Sequence, residues 1–315
     1  MASDNRFGAS PSVGRAHEQG CAVARQISYT LQFGTRFDGG LPLIWSMLAD
    51  AGLEARGIVV PRPKRYRDLL AARVAAFDGT PASPEELNAM LGLDQLDQQR
   101  DLHFVLRITD LMQPPAHFCP AGDWFFEIGP RAAHYRSIFA PAPVTFALSL
   151  SNPAVMLSQA WASGEYPGID VVTPDPFQLH WSVVLRELRE SCPEAAIIAW
   201  TAEESPMIWD RVLRAVSGTG ADFSNEANIH VAKLLMNEEG SARLADYLGS
   251  HPNMPDALRA RVIGIFLKRF AREDEVETEI VIPGWSDEAQ ARMDAHYAAD
   301  LDEVAGIEGV TLIRL

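Results

Sequence analysis

Residues 27–53, ISYTLQFGTRFDGGLPLIWSMLADAGL, decide the fold. Ile27 to Phe33 is a β-branched and aromatic run that stops at Gly34, the pattern of a buried strand. Leu41, Ile44, Trp45 and Leu48 then recur at helical spacing, with Pro42 suited to a first helical turn and Gly52 to the end. Strand, glycine-containing loop and helix in that order are the place where an α/β nucleotide-binding domain opens its phosphate cradle, because backbone N–H groups and a helix N-terminus supply positive potential there. The loop itself, Gly34-Thr35-Arg36-Phe37-Asp38-Gly39-Gly40, carries no GK[ST]. Lys64, Lys233 and Lys268 are the only lysines of the chain, and none lies in it. Two readings follow. Arg36 replaces the lysine of an anion cradle, or the segment is an ordinary βα turn whose Asp38 repels phosphate.

Strands and helices alternate outward from this stretch. GIVV at 57–60, HFVLRI at 103–108, VTFALSL at 144–150 and AAIIAW at 195–200 read as strands. Tyr66 to Phe77, a capping-box helix from Ser83-Pro84-Glu85-Glu86 to Leu91, a helix from Asn152-Pro153 to about Ala162, Phe177 to Ser191, and a helix opened by Pro206 lie between or after them. Such alternation predicts a parallel sheet covered by helices on both faces. Residues 113–143, rich in Pro, Phe and Trp, read as a long irregular segment with a short helix near Arg131 to Phe139, and loops of that length often cover a site. From Asn228 helical periodicity dominates, over Ile229–Leu248, Asp256–Phe270 and Asp287–Val304, with acidic EDEVETE at 273–279 between the last two. Val310 to Leu315 is open as a returning strand or a packed tail. The expected organisation is a disordered leader over 1–24, an α/β core over 25–227, and a mainly helical C-terminal region over 228–315 packed on it.

The 315 residues carry a formal charge of −15. An acidic surface disfavours nucleic acid and anionic membranes, since both need clustered positive charge. No apolar run approaches the ~20 residues of a bilayer span, and residues 1–24 lack a secretory pattern, so a cytoplasmic protein without membrane insertion is expected. Cys21, Cys119 and Cys192 form no CxxC. The eight histidines show neither HxxxH nor HExxH, so no metal is called for.

His134, in RAAHYRS between Arg131 and Arg136, is the best general-base candidate; the alternative is a polar surface helix. Ser151, Asn152 and Ser158 follow the strand VTFALSL, where they either cap a helix or aim hydroxyls at a phosphate. Glu203 and Glu204 follow AAIIAWTA, at the strand end where α/β ligands bind, or serve as an N-terminal helix contact before Pro206. GxSxG and GxGxxG are absent, which removes the signatures of α/β hydrolases and dinucleotide dehydrogenases.

Taken together, the early strand–loop–helix, the middle strand followed by Ser151-Asn152-Pro153, and the segments PEAAIIAWTAEESPMIWDRVLRAVSG and IPGWSDEAQARMDAHYAADLDEVAGIEGVTLIRL resemble uncharacterised bacterial sulfotransferase-like proteins. The resemblance spans most of residues 27–315. It implies a three-layer α/β fold of the P-loop sulfotransferase type, and phosphoadenosine phosphosulfate as the cofactor if the chain is active. In the family a loop like HxGxxKTGTT holds the 5′-phosphosulfate; here Gly34 matches the glycine, Phe37 or Arg36 takes the lysine's place, and Gly39 and Gly40 fall in the hydroxyl-rich end, with Thr35 also in the loop. An RxP element with a later serine holds the 3′-phosphate; here Ser151 stands for the arginine, Pro153 for the proline and Ser158 for the serine. Losing a desolvated charged contact costs about 2–5 kcal/mol. The expectation is a protein with degenerate cofactor loops that binds a small-molecule ligand or a protein partner. The alternatives are an active sulfotransferase, with Arg36 stabilising the moving sulfuryl group and His134 as base, and an acidic scaffold protein.

Overall fold

A computed structural model describes residues 25–34, 42–97, 99–108, 127–164, 176–272 and 280–315. The expected leader, the loop residues Thr35, Arg36, Gly39 and Gly40, and EDEVETE lie outside the described residues.

Among the described residues six strands form one sheet: β1 (Ile27–Phe33), β2 (Ile58–Val59), β3 (Leu102–Arg107), β4 (Val144–Leu150), β5 (Ala196–Thr201) and β6 (Val310–Ile313). Their order is β2-β3-β1-β4-β5-β6 and every pairing is parallel. The helices are α1 (Pro42–Leu48), α2 (Pro63–Ala75), α3 (Pro84–Leu91), α4 (Ile128–Ile138), α5 (Pro153–Ser163), α6 (Trp181–Ser191), α7 (Ser205–Val216), α8 (Asn225–Asn228), α9 (His230–Leu235), α10 (Glu238–Gly249), α11 (Asp256–Phe270) and α12 (Asp287–Ala305).

Alternation along each strand sorts side chains onto two faces. Tyr29, Leu31, Phe33, Phe104, Leu106, Phe146, Leu148, Ile197 and Ala199 form one core, with Tyr66 of α2, Tyr135 of α4, Met156 of α5, Leu185 of α6 and Val304 of α12. Val105, Ala147 and Trp200 point the other way, onto Leu43 and Ile44 of α1 and Ile208 and Trp209 of α7. Strands buried on both faces explain why VTFALSL and AAIIAW read as continuous apolar runs. The architecture is therefore three-layered α/β. A third, smaller core of Ile229, Ala232, Met236, Leu244, Leu248, Val262 and Ile263 joins α9, α10 and α11.

The Ser83–Glu86 capping box forms as the sequence indicated, and Asn152 caps α5 through its side chain. The single helix expected over 229–248 is instead broken. Met236 is extended, and Asn237 starts α10 by accepting from the Gly240 N–H at 2.8 Å. A local side-chain cap competes with helix propagation there. The C-terminal residues return as a strand, β6 pairing with β5, and α12 packs into the main core rather than with the helices before it.

Candidate functional site

β1 lies between β3 and β4, and the chain leaves these strands in different directions. After β1 it passes to α1 on one face; after β4 it passes to α5 on the other. The carboxyl ends of β1 and β4 thus flank a crevice of the kind in which open α/β sheets bind ligands. Gly34 sits at its lip with φ 139°, a conformation that a side chain disfavours and that turns the chain off the strand.

The β4 side of the crevice is filled from within. Ser151 is buried and its carbonyl accepts from Trp181 Nε1 at 2.8 Å. Ser158 is buried and its hydroxyl accepts from the Val281 N–H at 2.9 Å. The Asn152 N–H, ahead of α5, donates to Glu203 Oε1 at 2.7 Å, and Asn152 Nδ2 donates to Asp294 Oδ1 at 2.7 Å. Gln290 Nε2 donates to the same Asp294 oxygen, and Trp285 Nε1 donates to Gln290 Oε1. Tyr297, on the buried face of α12, donates to the Leu150 carbonyl at 2.7 Å and stands 3.1 Å from Glu203 Oε2. Burial pushes the Glu203 carboxyl above its ordinary value, against the pull of the Asn152 N–H. Burial, and then Glu203 itself, raise the Tyr297 phenol well above the usual range. Glu204 accepts from Thr201 Oγ1 at 2.6 Å and from the Leu315 N–H at 2.9 Å. The two glutamates therefore do lie at a strand's carboxyl end, but they lock the C-terminal region onto the sheet.

The β1 and β3 side is different. Gln32, penultimate in β1, is fully buried, and neither amide atom has a hydrogen-bond partner. Its register partner is Arg107, the last residue of β3, half-buried and without a partner for Nε. Ser149 of β4 and its register partner Trp200 of β5 also hold buried unpartnered atoms, Oγ and Nε1. Strand alternation puts all four side chains on the α1 face, at the carboxyl ends of four adjacent strands. The sequence carried a signal for this: a glutamine near the end of the strand Ile27–Phe33 and an arginine at the end of Leu102–Arg107.

His134 lies elsewhere. It is exposed on α4 with its ring 4.7 Å from Phe77, which follows the end of α2 and so belongs to the opposite, amino-terminal edge of the sheet. Its neighbouring cations are engaged: Arg131 with Glu127 at 3.9 Å and Arg136 with Glu194. At that same edge a cleft of about 690 Å³ is lined by Ser28, His103 and Phe139. His103 is buried between Ser28 Oγ, Thr30 Oγ1 and the Val216 carbonyl, and burial lowers its pKa. Among the described residues no cluster of His, Cys, Asp and Glu could hold a metal ion, and no helix is long and apolar enough to cross a membrane.

No protein-family model and no curated protein matches the chain.

Proposed function

We propose that the chain is a sulfotransferase-like α/β protein that has lost donor-dependent sulfuryl transfer and binds a small ligand in the crevice beside β1. The strand order and the resemblance of residues 27–53 and 144–158 support the sulfotransferase-like reading. The loss of transfer rests on one observation: where the family sets its 3′-phosphate, the groups at the start of α5 are engaged with carboxylates and backbone of this protein. The Asn152 N–H, at the start of α5, is held by a carboxyl oxygen of Glu203, and the Ser158 hydroxyl oxygen accepts from the Val281 N–H. A phosphate brought there would have to displace Glu203 from the Asn152 N–H and would meet Asp294 and Glu204 beside it. Unpaired like charges in a desolvated site disfavour binding by several kcal/mol. What remains open to a ligand is the α1 face of the crevice, where buried polar atoms on β3, β1, β4 and β5 have no partner.

Isothermal calorimetry with adenosine 3′,5′-bisphosphate tests the reading. No heat of binding is expected up to millimolar ligand; a micromolar Kd would overturn it and restore the enzyme alternative.

A further inference from the structure

Four side chains at the carboxyl ends of β3, β1, β4 and β5 are built as if for a guest. Buried donors and acceptors are nearly always satisfied in folded proteins, and each orphan costs about 1–3 kcal/mol. Here Gln32 Oε1, Gln32 Nε2, Ser149 Oγ, Trp200 Nε1 and Arg107 Nε are all orphaned. They are not scattered. Gln32 pairs in register with Arg107 and Ser149 with Trp200, the second pair two residues further along because Ala147 stands opposite Gln32. Direct neighbours across a sheet stand about 5 Å apart at Cβ and diagonal ones, such as Gln32 and Ser149, about 7–8 Å, within reach of long side chains, so a small molecule between the two pairs can meet groups from adjacent strands. Strand alternation puts all four on the α1 face, where Trp200 packs with α1 and α7.

The chemistry of the set is lopsided. The Arg107 guanidinium, the Gln32 amide N–H, the Trp200 indole N–H and the Ser149 hydroxyl all donate, and one of them is a permanent cation. Donors around a cation select an oxyanion. One group asks for the reverse: the Gln32 carbonyl oxygen needs a donor. Sulfate at neutral pH has only acceptor oxygens. Inorganic phosphate keeps at least one P–OH, which can donate to that carbonyl while its other oxygens accept from the remaining groups.

We propose that Arg107, Gln32, Ser149 and Trp200 form a binding site for hydrogen phosphate, with Gln32 reading the P–OH and Arg107 holding the charge. The site rests on the reading of the crevice as a ligand site, and it uses none of the residues that would hold the adenosine part of a sulfuryl donor. No bond is made or broken in it.

The test is calorimetry on the full chain with inorganic phosphate, sulfate and phenyl phosphate in turn, at constant ionic strength and neutral pH. Phosphate is expected to bind, and sulfate at least about tenfold more weakly, the ratio that one hydrogen bond of ordinary strength confers. Arg107→Gln is expected to abolish the phosphate heat. Gln32→Leu, of similar shape, is expected to remove the preference over sulfate; circular dichroism and the urea midpoint check that it folds. No phosphate binding at millimolar concentration, equal binding of sulfate, or an unchanged Kd in Arg107→Gln would each overturn the proposal. Tighter binding of phenyl phosphate would overturn the assignment to the free anion. Micromolar binding of adenosine 3′,5′-bisphosphate would instead sink the loss of donor binding, a separate failure.

Discussion

Glu203 offers the sharpest test of how the crevice is filled. Its Oε1 accepts from the Asn152 N–H at 2.7 Å, so that oxygen is satisfied in either protonation state. Its Oε2 faces the Tyr297 hydroxyl at 3.1 Å, but that hydroxyl has one proton and a closer acceptor, the Leu150 carbonyl at 2.7 Å. An ionised Glu203 therefore leaves one oxygen without a donor in a buried site. A protonated Glu203 donates to the Tyr297 oxygen and completes the chain of bonds. This agrees with the upward push that burial gives the carboxyl. The sign follows by linkage. The folded state binds a proton that the unfolded state has already released, so Glu203 favours folding below its ordinary pKa of 4.5 and loses that contribution as pH rises through its higher folded value. Glu203→Gln keeps the acceptor for Asn152, supplies a permanent donor toward Tyr297, and cannot ionise. Removing an unsatisfied buried oxygen is worth about 1–3 kcal/mol. The variant is expected to match the parent near pH 4 and to exceed it by about 1–2 kcal/mol at pH 8, read from urea midpoints followed by tryptophan fluorescence. A variant less stable than the parent at pH 8 would show that the carboxylate is ionised and well paired, and the reasoning would fail.

Asp300, on the buried face of α12, accepts from the Trp181 N–H at 2.6 Å and the Ser182 N–H at 3.2 Å, and so caps α6 from a distant part of the chain. Asp300→Ala is expected to cost about 2–3 kcal/mol in urea unfolding, the sum of a lost cap and exposed orphan donors. Gly218 has φ 66° and a Cβ there would come within 2.4 Å of the His103 ring, so Gly218→Ala is expected to lower stability by about 2–4 kcal/mol, with a matching fall in midpoint. His134→Gln is expected to change neither the urea midpoint beyond about 0.5 kcal/mol nor phosphate binding, because the ring is exposed at the far edge of the sheet; a lost heat of binding would bring it back as a site residue.

The layers of the fold were legible because they arise from local pattern. The strands Ile27–Phe33 and Val144–Leu150 fall where the apolar runs put them, and the Ser83 box and the Asn152 cap follow from residues a turn apart. The break at Met236-Asn237 was hidden, since helical periodicity continues across it while the cap is a single side chain. The crevice was hidden for a different reason. Ser151 and Ser158 suggest phosphate contacts only until their partners are known, and those partners, Trp181 and Val281, lie 30 and 123 residues away. Gln32 and Arg107 are likewise far apart in sequence, and only the strand order β3-β1 brings them together. His134 shows the reverse error of proximity: its flanking arginines looked available in the sequence, and pair instead with Glu127 and Glu194.

The bond from Trp181 to Asp300 also sets a schedule for synthesis. These residues are 119 positions apart, and ribosomes add about 5–20 residues per second, so α6 emerges roughly 6–24 s before its cap exists. Leu150 waits longer still for Tyr297, across 147 positions, and β5 remains an open sheet edge until β6 arrives beside it. The nascent chain therefore displays an unpaired parallel strand and a bare helix start through much of its production, the state in which edge pairing with another chain is easiest. A stall placed before residue 287 would prolong that exposure, and the burden on chaperones would fall in that interval.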